Sequence, residues 1–529
     1  RWYDTNAFTF TFKEPKDMDY LIWVPRLDGK YRTSFTAYNI EVWTEGQDLT
    51  KAGTLVANNK SITNIGENDS YFVFDFPKQE NVKKIKVKPI QWGGSPTNMN
   101  ASEVVFYEYN DIADRIANLF ANSSRTELKS TTTSQDINTL REEVNNNDGF
   151  VINKDILLKE LDIATSLLNN NTNALGVIKD NVYSINPSKD NEKYSKSINN
   201  WQPLGVVGSA NETITIYADI PAGETVSLVP TQFFEQVDSL SASPITLQNG
   251  RNIITIPKIG SVNNDRGGSL YITYSGEKAS EIKLQVIGGQ KIPYLELKDF
   301  HTLSEEKVKE RITIFIGELE KYVPTLKGDL TYQRFNQAEI SLPNVLLSLP
   351  ADQVLKGINQ NASDQNTKVD KTYTSMKAWE ELMGVIYKTY GIDNHKNDGL
   401  ETRHNIRYMK MFAGAFMYAS GNHIGIGYNS VAPLMNGTPT NNQTPSQEQN
   451  NLFGWGIAHE IGHVMDKFGK AEVTNNIYSL MAQTYDGEKN TLKSRLEIEN
   501  VYEKAFKKVS VGGEGVPNDV FTHLTMYWQ

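Results

Sequence analysis

Residues 454–468 read GWGIAHEIGHVMDKF, and this stretch decides how the rest of the chain is interpreted. It contains the pattern His-Glu-x-x-His, formed by His459, Glu460 and His463. Its apolar residues recur at helical spacing on one face of a predicted helix, and both histidines fall on the opposite side. Residues four apart on a helix bring their Cβ atoms within about 5–6 Å, so two imidazoles can reach one zinc ion. The stretch therefore predicts a helix that offers two metal ligands.

A third ligand is predicted in the next segment, 471–481, which reads AEVTNNIYSLM. Its apolar stripe leaves Glu472 on a second polar face, with eight residues between it and His463. Asn476 follows one helical turn later and is placed to orient a metal-bound imidazole by a hydrogen bond. A catalytic zinc site needs three protein ligands and one open position, and Glu460 suits the general base that deprotonates a zinc-activated water. Peptide hydrolysis is the reaction that this arrangement best serves.

Two other interpretations of the motif remain open at this point. One is a surface helix with two solvated histidines, and the other is a metal site with a purely structural role. A structural zinc site usually takes four protein ligands. The chain contains no cysteine, so thiolate sites, disulfides and a cysteine nucleophile are excluded.

Composition narrows the class of protein further. The 529 residues exceed a single domain, and 39% hydrophobic residues with 22% charged residues are typical of globular protein. A net charge of −10 would repel a phosphate backbone, so we expect no nucleic-acid partner. No apolar stretch approaches the roughly 18–20 residues of a membrane-spanning helix, so we expect no membrane span.

Periodicity along the chain predicts a multidomain α+β protein with four parts. The patterns predict an N-terminal β-sandwich (1–110), a helical spacer (111–198), a second, accessory β domain (199–298) and a mainly α-helical catalytic domain (299–529) that contains the His-Glu-x-x-His motif. The first residue is not Met and no targeting pattern follows, which suggests a processed piece. The chain stops inside the helix-like ending MYWQ, which predicts that the catalytic domain is truncated at its C-terminus.

The motif with its downstream Glu472 resembles the enhancin-like, mucin-degrading gluzincin metallopeptidases, and the similarity extends from about Trp201 to the end. The resemblance implies that His459, His463 and Glu472 bind one zinc ion and that Glu460 is the base. It also implies a protein that is secreted or on the bacterial cell surface and that cleaves glycoproteins such as mucins, often beside an O-glycosylated residue. Mucus or host glycans would then be partners.

The N-terminal part resembles a discoidin-type, galactose-binding-like β-sandwich. The resemblance rests on the strand patterns of residues 20–29, 38–43 and 101–107. It implies sugar binding by an aromatic side chain on a loop, with Trp92, Tyr31 and Arg32 as candidates, and a structural calcium ion. The alternative is a spacer domain that has lost sugar binding, since fold does not establish function.

Residues 421–428, GNHIGIGY, alternate as a short strand with glycines on one side. One interpretation is an edge strand beside the zinc that pairs with the substrate backbone, and the other is a Gly-rich core strand. A peptidase also needs a group that stabilises the oxyanion. The sequence does not choose among the candidates for substrate or oxyanion contacts, which are His423, Tyr428, Tyr478, Tyr485 and His523.

Three functions are compatible with these patterns. The leading one is a secreted zinc endopeptidase that hydrolyses peptide bonds of O-glycoproteins. The alternatives are a glycan-binding adhesin with an inactive peptidase-like domain and a general endopeptidase that is indifferent to glycans.

Overall fold

The computed structural model describes most of the chain, in two units that we treat separately. The described residues are 7–25, 35–62, 65–66, 70–92, 101–146, 151–187, 199–233, 239–260, 267–392, 403–412, 414–421, 423–437, 450–466, 469–511 and 519–528. The first unit is Arg1–Leu175 with Ile253–Thr255, and the second is Gly176–Asn252 with Ile256–Gln529. No helix among these described residues is long and apolar enough to cross a membrane.

The first unit contains an antiparallel sheet in the order β3-β2-β4-β1-β5. Its strands are β1 Phe8–Val24, β2 Phe35–Thr44, β3 Thr54–Ser61, β4 Phe72–Trp92 and β5 Glu103–Phe106. Register shifts interrupt the pairing of β1 with β4, which are the two longest strands. These irregularities divide the sheet into two halves, because β2 pairs with the second half of β4 and β5 pairs with the second half of β1.

Both halves of this sheet contribute to one apolar core. Trp23 and Phe74 from one half lie in the same buried cluster as Ile40 and Val87 from the other, and the rings of Tyr38 and Phe74 stack at 4.7 Å. The sheet therefore closes over its own apolar face, which is consistent with the β-sandwich that the alternating sequence predicts.

Three helices follow in the first unit. They are α1 Ile112–Ala117, α2 Ser134–Asn146 and α3 Lys154–Leu168. Helix α3 buries an apolar stripe that includes Leu157, Leu161 and Ala164. The segment that we expected to be entirely a helical spacer, 111–198, also contains strand β6, Val177–Lys179, which pairs with a later strand of the second unit. Three residues are too few to show a strand's period in the sequence.

The second unit begins with short strands in two sheets. They are β7 Gln202–Gly208, β8 Thr213–Asp219, β9 Ser227–Pro230, β10 Ile245–Thr246, β12 Gly268–Thr273, β13 Lys283–Ile287 and β14 Gln290–Lys291. Strand β11, Gly250–Thr255, is divided, because Ile253–Thr255 is assigned to the first unit. One sheet has the order β10-β9-β12-β7-β14, and β8, β13 and β6 run side by side in the other. This region is the β region that the sequence predicts before the helices.

The C-terminal part of the second unit is a mixed sheet surrounded by helices. The strands are β15 Tyr294–Glu296, β16 Ala338–Ser341, β17 Val345–Leu349, β18 His404–Tyr408, β19 Met417–Ala419 and β20 Ile424–Ile426, in the order β15-β16-β17-β18-β20-β19. The helices are α4 Glu305–Tyr322, α5 Ala351–Asn359, α6 Gln365–Tyr390, α7 Gly454–Met465, α8 Asn476–Thr484, α9 Arg495–Ile498, α10 Val501–Ser510 and α11 Val520–Trp528.

The expectation of a mainly helical domain overlooked this sheet. Strands β16, β17 and β18 have four or five residues each and are buried along their whole length, so they lack the alternation that marks a half-exposed strand. Helix α7 packs into the same core, where Ile457 and Ile461 are fully buried. This packing holds one face of α7 against the domain and leaves the other for the motif.

Candidate metal centre and active-site cleft

The two motif histidines lie one turn apart on α7 and converge. Their rings are perpendicular with centroids 4.7 Å apart, and Nε2 of His459 lies 3.1 Å from Nε2 of His463. Both side chains are about one-fifth exposed. The two nitrogens that a metal would use therefore point to one place, as helical spacing predicts.

Glu472 reaches this place from the turn between α7 and α8. Its two carboxylate oxygens lie 3.3 Å from Nε2 of His459 and 3.2 Å from Nε2 of His463. Its backbone adopts the left-handed conformation, with φ +64°, which is uncommon for a long side chain and is found where function constrains the backbone. The turn that precedes α8 thus delivers the carboxylate to the imidazoles.

These three side chains fit a zinc ion. One ligand atom of each lies within 4.8 Å of the others, and no other such group of three occurs in the described part of the chain. Two imidazoles with one carboxylate form a donor set of catalytic zinc that leaves a coordination position open. The expected calcium ion in the N-terminal β-sandwich gains no support from the described residues, because their one cluster of this kind belongs to the second unit.

Asn476 holds His459 in place. Its Oδ1 atom lies 2.7 Å from Nδ1 of His459, and its Nδ2 atom donates to the backbone carbonyl of Glu472 at 2.7 Å. The side chain thereby joins one ligand to the turn that carries another. The structure also adds Trp455, whose Nε1–H donates to the same Oδ1 atom at 3.0 Å. Its spacing of four residues from His459 places both residues on one side of α7, and this spacing is the sequence signal for its role.

Gly462, inside the motif, permits the close approach of the loop that carries Asn476. A Cβ atom at this position would lie 2.3 Å from the backbone oxygen of Asn475 and 3.2 Å from a ring carbon of Tyr478. Only a residue without a side chain lets the two segments meet at this distance. Gly462 therefore belongs to the architecture of the metal centre, although sequence reasoning did not select it.

Glu460 lies at the floor of a cleft beside the ligands. It is 8% exposed, and burial, followed by the charge of Glu472, raises the pKa of its carboxyl to about 7. Burial and the neighbouring His459 lower the pKa of His463. The cleft has a volume of about 720 Å³, and its other lining residues come from Val464 and residues 412–421. A carboxylate, three potential ligands and an open cleft therefore meet in one place.

Strand β19 forms the edge of the sheet along this cleft, and this corrects the interpretation of residues 421–428 as the edge strand. Strand β20 lies between β18 and β19, and no described strand pairs with the outer side of β19. Gly425 faces Tyr418 across the β19–β20 pair, where a Cβ atom would lie 2.1 Å from the tyrosine ring. The glycine accommodates a neighbouring ring, so this segment is a Gly-rich core strand.

The structure places the five candidates for substrate or oxyanion contacts away from the described lining of the cleft. His423 bonds the hydroxyl of Tyr418 at 2.8 Å, and the hydroxyl of Tyr428 donates to Asp352. Tyr478 is buried in the core, and the hydroxyl of Tyr485 donates to the backbone of Gly487 at 2.7 Å. The last candidate, His523, lies on α11.

The three candidates for glycan binding stay predictions. Tyr31 and Arg32 lie outside the described residues, as does the side chain of Trp92. The backbone of Trp92 pairs with Phe35 at the end of β4.

The comparison with protein families identifies the class of the C-terminal part. Residues 337–529 match the family described as Peptidase M60, enhancin and enhancin-like. This segment contains every residue of the metal centre and the cleft. Residues 337–529 are therefore an M60 enhancin-like peptidase domain, which confirms the resemblance drawn from the motif.

Solved structures extend the likeness to the rest of the fold. A structure of the CBM32-1, CBM32-2 and M60 catalytic domains of ZmpB from Clostridium perfringens is 21% identical with a TM-score of 0.56, covering 98% of this chain and 51% of that one. The ZmpB metallopeptidase from Clostridium perfringens is 23% identical with a TM-score of 0.51, covering 66% of each chain. A metallopeptidase from Bacteroides thetaiotaomicron is 16% identical with a TM-score of 0.55, covering 82% of this chain and 65% of that one.

At these identities the likeness shows the fold alone. The chain spans about half the length of the first of these structures. No curated protein matches the chain.

Proposed function

We propose that this chain is a zinc-dependent endopeptidase that hydrolyses peptide bonds of O-glycosylated proteins such as mucins. The observation that carries the proposal is the convergence of His459, His463 and Glu472 beside the buried carboxyl group of Glu460. The M60 peptidase domain in the same residues supports it.

The chemistry follows from the placement of these side chains. A zinc ion held by His459, His463 and Glu472 would activate water and polarise the scissile carbonyl group. Glu460 lines the same cleft and is positioned to accept a proton from the attacking water and to return it to the leaving amine. Asn476 keeps the ring of His459 oriented throughout. No protein nucleophile is needed.

The substrate would lie along the outer edge of β19. An extended peptide can add to an exposed sheet edge by main-chain hydrogen bonds. Residues 417–419 of this strand line the cleft beside the metal ligands. A peptide on this edge would run past Glu460, which supports cleavage within a chain rather than at its end.

The glycoprotein preference rests on the resemblance to mucin-degrading gluzincins. The same resemblance supports secretion or a position on the bacterial surface. The fold likeness to a chain with CBM32 domains supports a glycan-binding role for the N-terminal unit. Joining a weak glycan site to a peptidase site raises the effective concentration of substrate at the cleft.

The test uses a defined peptide in O-glycosylated and unglycosylated forms, with products identified by mass spectrometry. We expect the wild-type chain to cleave the glycosylated form, and we expect Glu460→Gln to lose cleavage while it still binds zinc. Glu488→Gln is the matched control, because Glu488 is exposed and lies outside the cleft lining. Cleavage by Glu460→Gln at the wild-type rate would refute the role of the base. Equal cleavage of both peptides would refute the glycan preference, and glycan binding without cleavage would indicate an adhesin.

A further inference from the structure

The amide of Asn476 has two possible orientations, and only one suits a metal site. A carboxamide carries an acceptor oxygen and a donor NH₂ group of nearly equal shape, so its neighbours decide which group faces where. Nδ1 of His459 lies 2.7 Å from Oδ1 of Asn476. Facing an oxygen, Nδ1 carries the proton and Nε2 keeps the lone pair that binds a metal. Facing an NH₂ group, Nδ1 would accept, and the proton would sit on Nε2.

Two neighbouring groups fix the orientation of the Asn476 amide, because one can only donate and the other can only accept a hydrogen bond. The indole Nε1–H of Trp455 can only donate, and it meets Oδ1 of Asn476 at 3.0 Å. The backbone carbonyl of Glu472 can only accept, and it meets Nδ2 of Asn476 at 2.7 Å. A flipped amide would place a donor against the indole and an oxygen against the carbonyl. Trp455 therefore makes the flipped state costly.

A competing donor lies beside the same imidazole. Nδ2 of Asn475 lies 3.3 Å from Nδ1 and 3.5 Å from Nε2 of His459, and it also donates to the backbone carbonyl of His459 at 3.3 Å. Its donation to Nδ1 would favour an unprotonated Nδ1. The shorter hydrogen bond, in which Nδ1 donates to Oδ1 of Asn476, favours a protonated Nδ1 and opposes this preference. Loss of the indole N–H would weaken that opposition and shift His459 toward the tautomer that cannot present Nε2 to a metal.

Trp455 is itself firmly anchored. It is 6% exposed, and the guanidinium of Arg495 lies 5.4 Å from its ring. The ring of Phe521, from α11, lies 5.9 Å away in an edge-to-face arrangement. The donor therefore has a fixed position beside Oδ1 of Asn476, the atom that also faces His459.

We propose that Trp455 is a positioning residue that sets the tautomer of His459 through Asn476 and thereby sets the affinity of the centre for zinc. It is neither one of the three ligands nor one of the described residues that line the cleft. This inference rests on the proposed function only in taking the three side chains as a metal site.

The experiment measures the effect of Trp455→Phe on zinc affinity in the wild-type chain and in the Asn476→Asp variant. Zinc affinity is measured by chelator competition without substrate. We expect Trp455→Phe, which keeps a ring but removes the N–H, to weaken binding about tenfold, at the lower end of the effect of second-layer partners. A carboxylate offers an oxygen in either orientation, so in the Asn476→Asp background the same change should weaken binding less than about twofold. Trp379→Phe is the matched control, because it removes an equally buried indole hydrogen bond, 3.2 Å from the carbonyl of Leu434.

The proposal would be overturned if Trp455→Phe lowered zinc affinity equally in the wild-type and Asn476→Asp chains. It would also be overturned if Trp455→Phe lowered zinc affinity no more than Trp379→Phe does. If Trp455→Phe does not fold, the imidazole ¹⁵N shifts of the metal-free wild-type chain give a direct answer, with His459→Gln to assign the signal. We expect a protonated Nδ1 in His459, and a protonated Nε2 would overturn the proposal. A chain that binds zinc with these effects but cleaves nothing would refute the peptidase function and leave this inference intact.

Discussion

The substitution Gly462→Ala tests how closely the motif helix and the following loop must approach. The added Cβ atom would lie 2.3 Å from the backbone oxygen of Asn475. A carbon and a carbonyl oxygen in contact lie about 3.3 Å apart or more, so the loop must retreat by about 1 Å. Asn476 is the next residue, and its 2.7 Å bond to His459 would then exceed the length of a good hydrogen bond.

The expected magnitude follows from this displacement. Loss of the hydrogen-bond partner of a metal-binding histidine lowers metal affinity by about 10- to 100-fold. We expect Gly462→Ala to lower zinc affinity by a factor in that range. Overpacking costs about 1–3 kcal/mol, whereas replacing a helical glycine with alanine gains about 1 kcal/mol. The metal-free protein should therefore lose up to about 2 kcal/mol of stability, the difference between these effects.

Gly384 is the matched control in the same unit. It is an exposed glycine within α6, and a Cβ atom there would meet no atom within 4 Å. Gly384→Ala should therefore show the helix gain of up to about 1 kcal/mol with unchanged zinc affinity. Chelator competition and denaturant unfolding of both variants separate the two effects. Wild-type zinc affinity in Gly462→Ala would refute the account of how the loop holds His459.

Three further predictions concern the metal, its ligands and the histidine His423 beside β20. Removal of metal by a chelator should abolish cleavage, and added zinc should restore it; cleavage that persists in metal-free protein would contradict the mechanism. Glu472→Gln should weaken zinc binding by at least about tenfold, whereas Glu460→Gln should retain zinc, and equal retention by both would contradict the assigned roles. Burial, followed by the charge of Arg407, lowers the pKa of His423 from 6.5 to about 3. Between these two pH values the unfolded chain binds more protons than the folded chain, so the stability of the fold falls as the pH drops below about 6.5. Denaturant unfolding of wild type should therefore show a loss of stability between about pH 7.5 and about pH 5. In His423→Gln, which can still bond Tyr418, this loss should be smaller by up to about 2 kcal/mol. A loss as large as that of wild type would contradict the prediction.

The two histidine ligands were predictable because helical geometry relates sequence spacing directly to position in space. His459 and His463 share a face of α7 at a spacing of four residues. Glu472 is different, because it lies in the turn before α8 with a left-handed backbone and not on a helix face one turn before Asn476. This turn, and not helical spacing, brings its carboxylate to the two imidazoles.

The surroundings of the ligands were not predictable, because they depend on which strands and loops become neighbours. Residues 421–428 resemble an edge strand, yet β20 is covered by β19, and only the strand order reveals this. The glycine pattern that suggested contact with substrate reflects the ring of Tyr418 over Gly425. Likewise, the need for Gly462 appears only once the carbonyl of Asn475 lies against it. Contacts between segments distant in sequence leave no periodic signal in either segment.

Zinc content and coordination of the purified chain provide the most direct test of the central claim. X-ray absorption spectroscopy with elemental analysis should show one zinc ion per wild-type chain, bound by two imidazole nitrogens and a carboxylate oxygen. The variant His463→Ala should contain little zinc under the same conditions. A wild-type chain without zinc affinity, or a His463→Ala variant that retains one tightly bound zinc with unchanged coordination, would contradict the account.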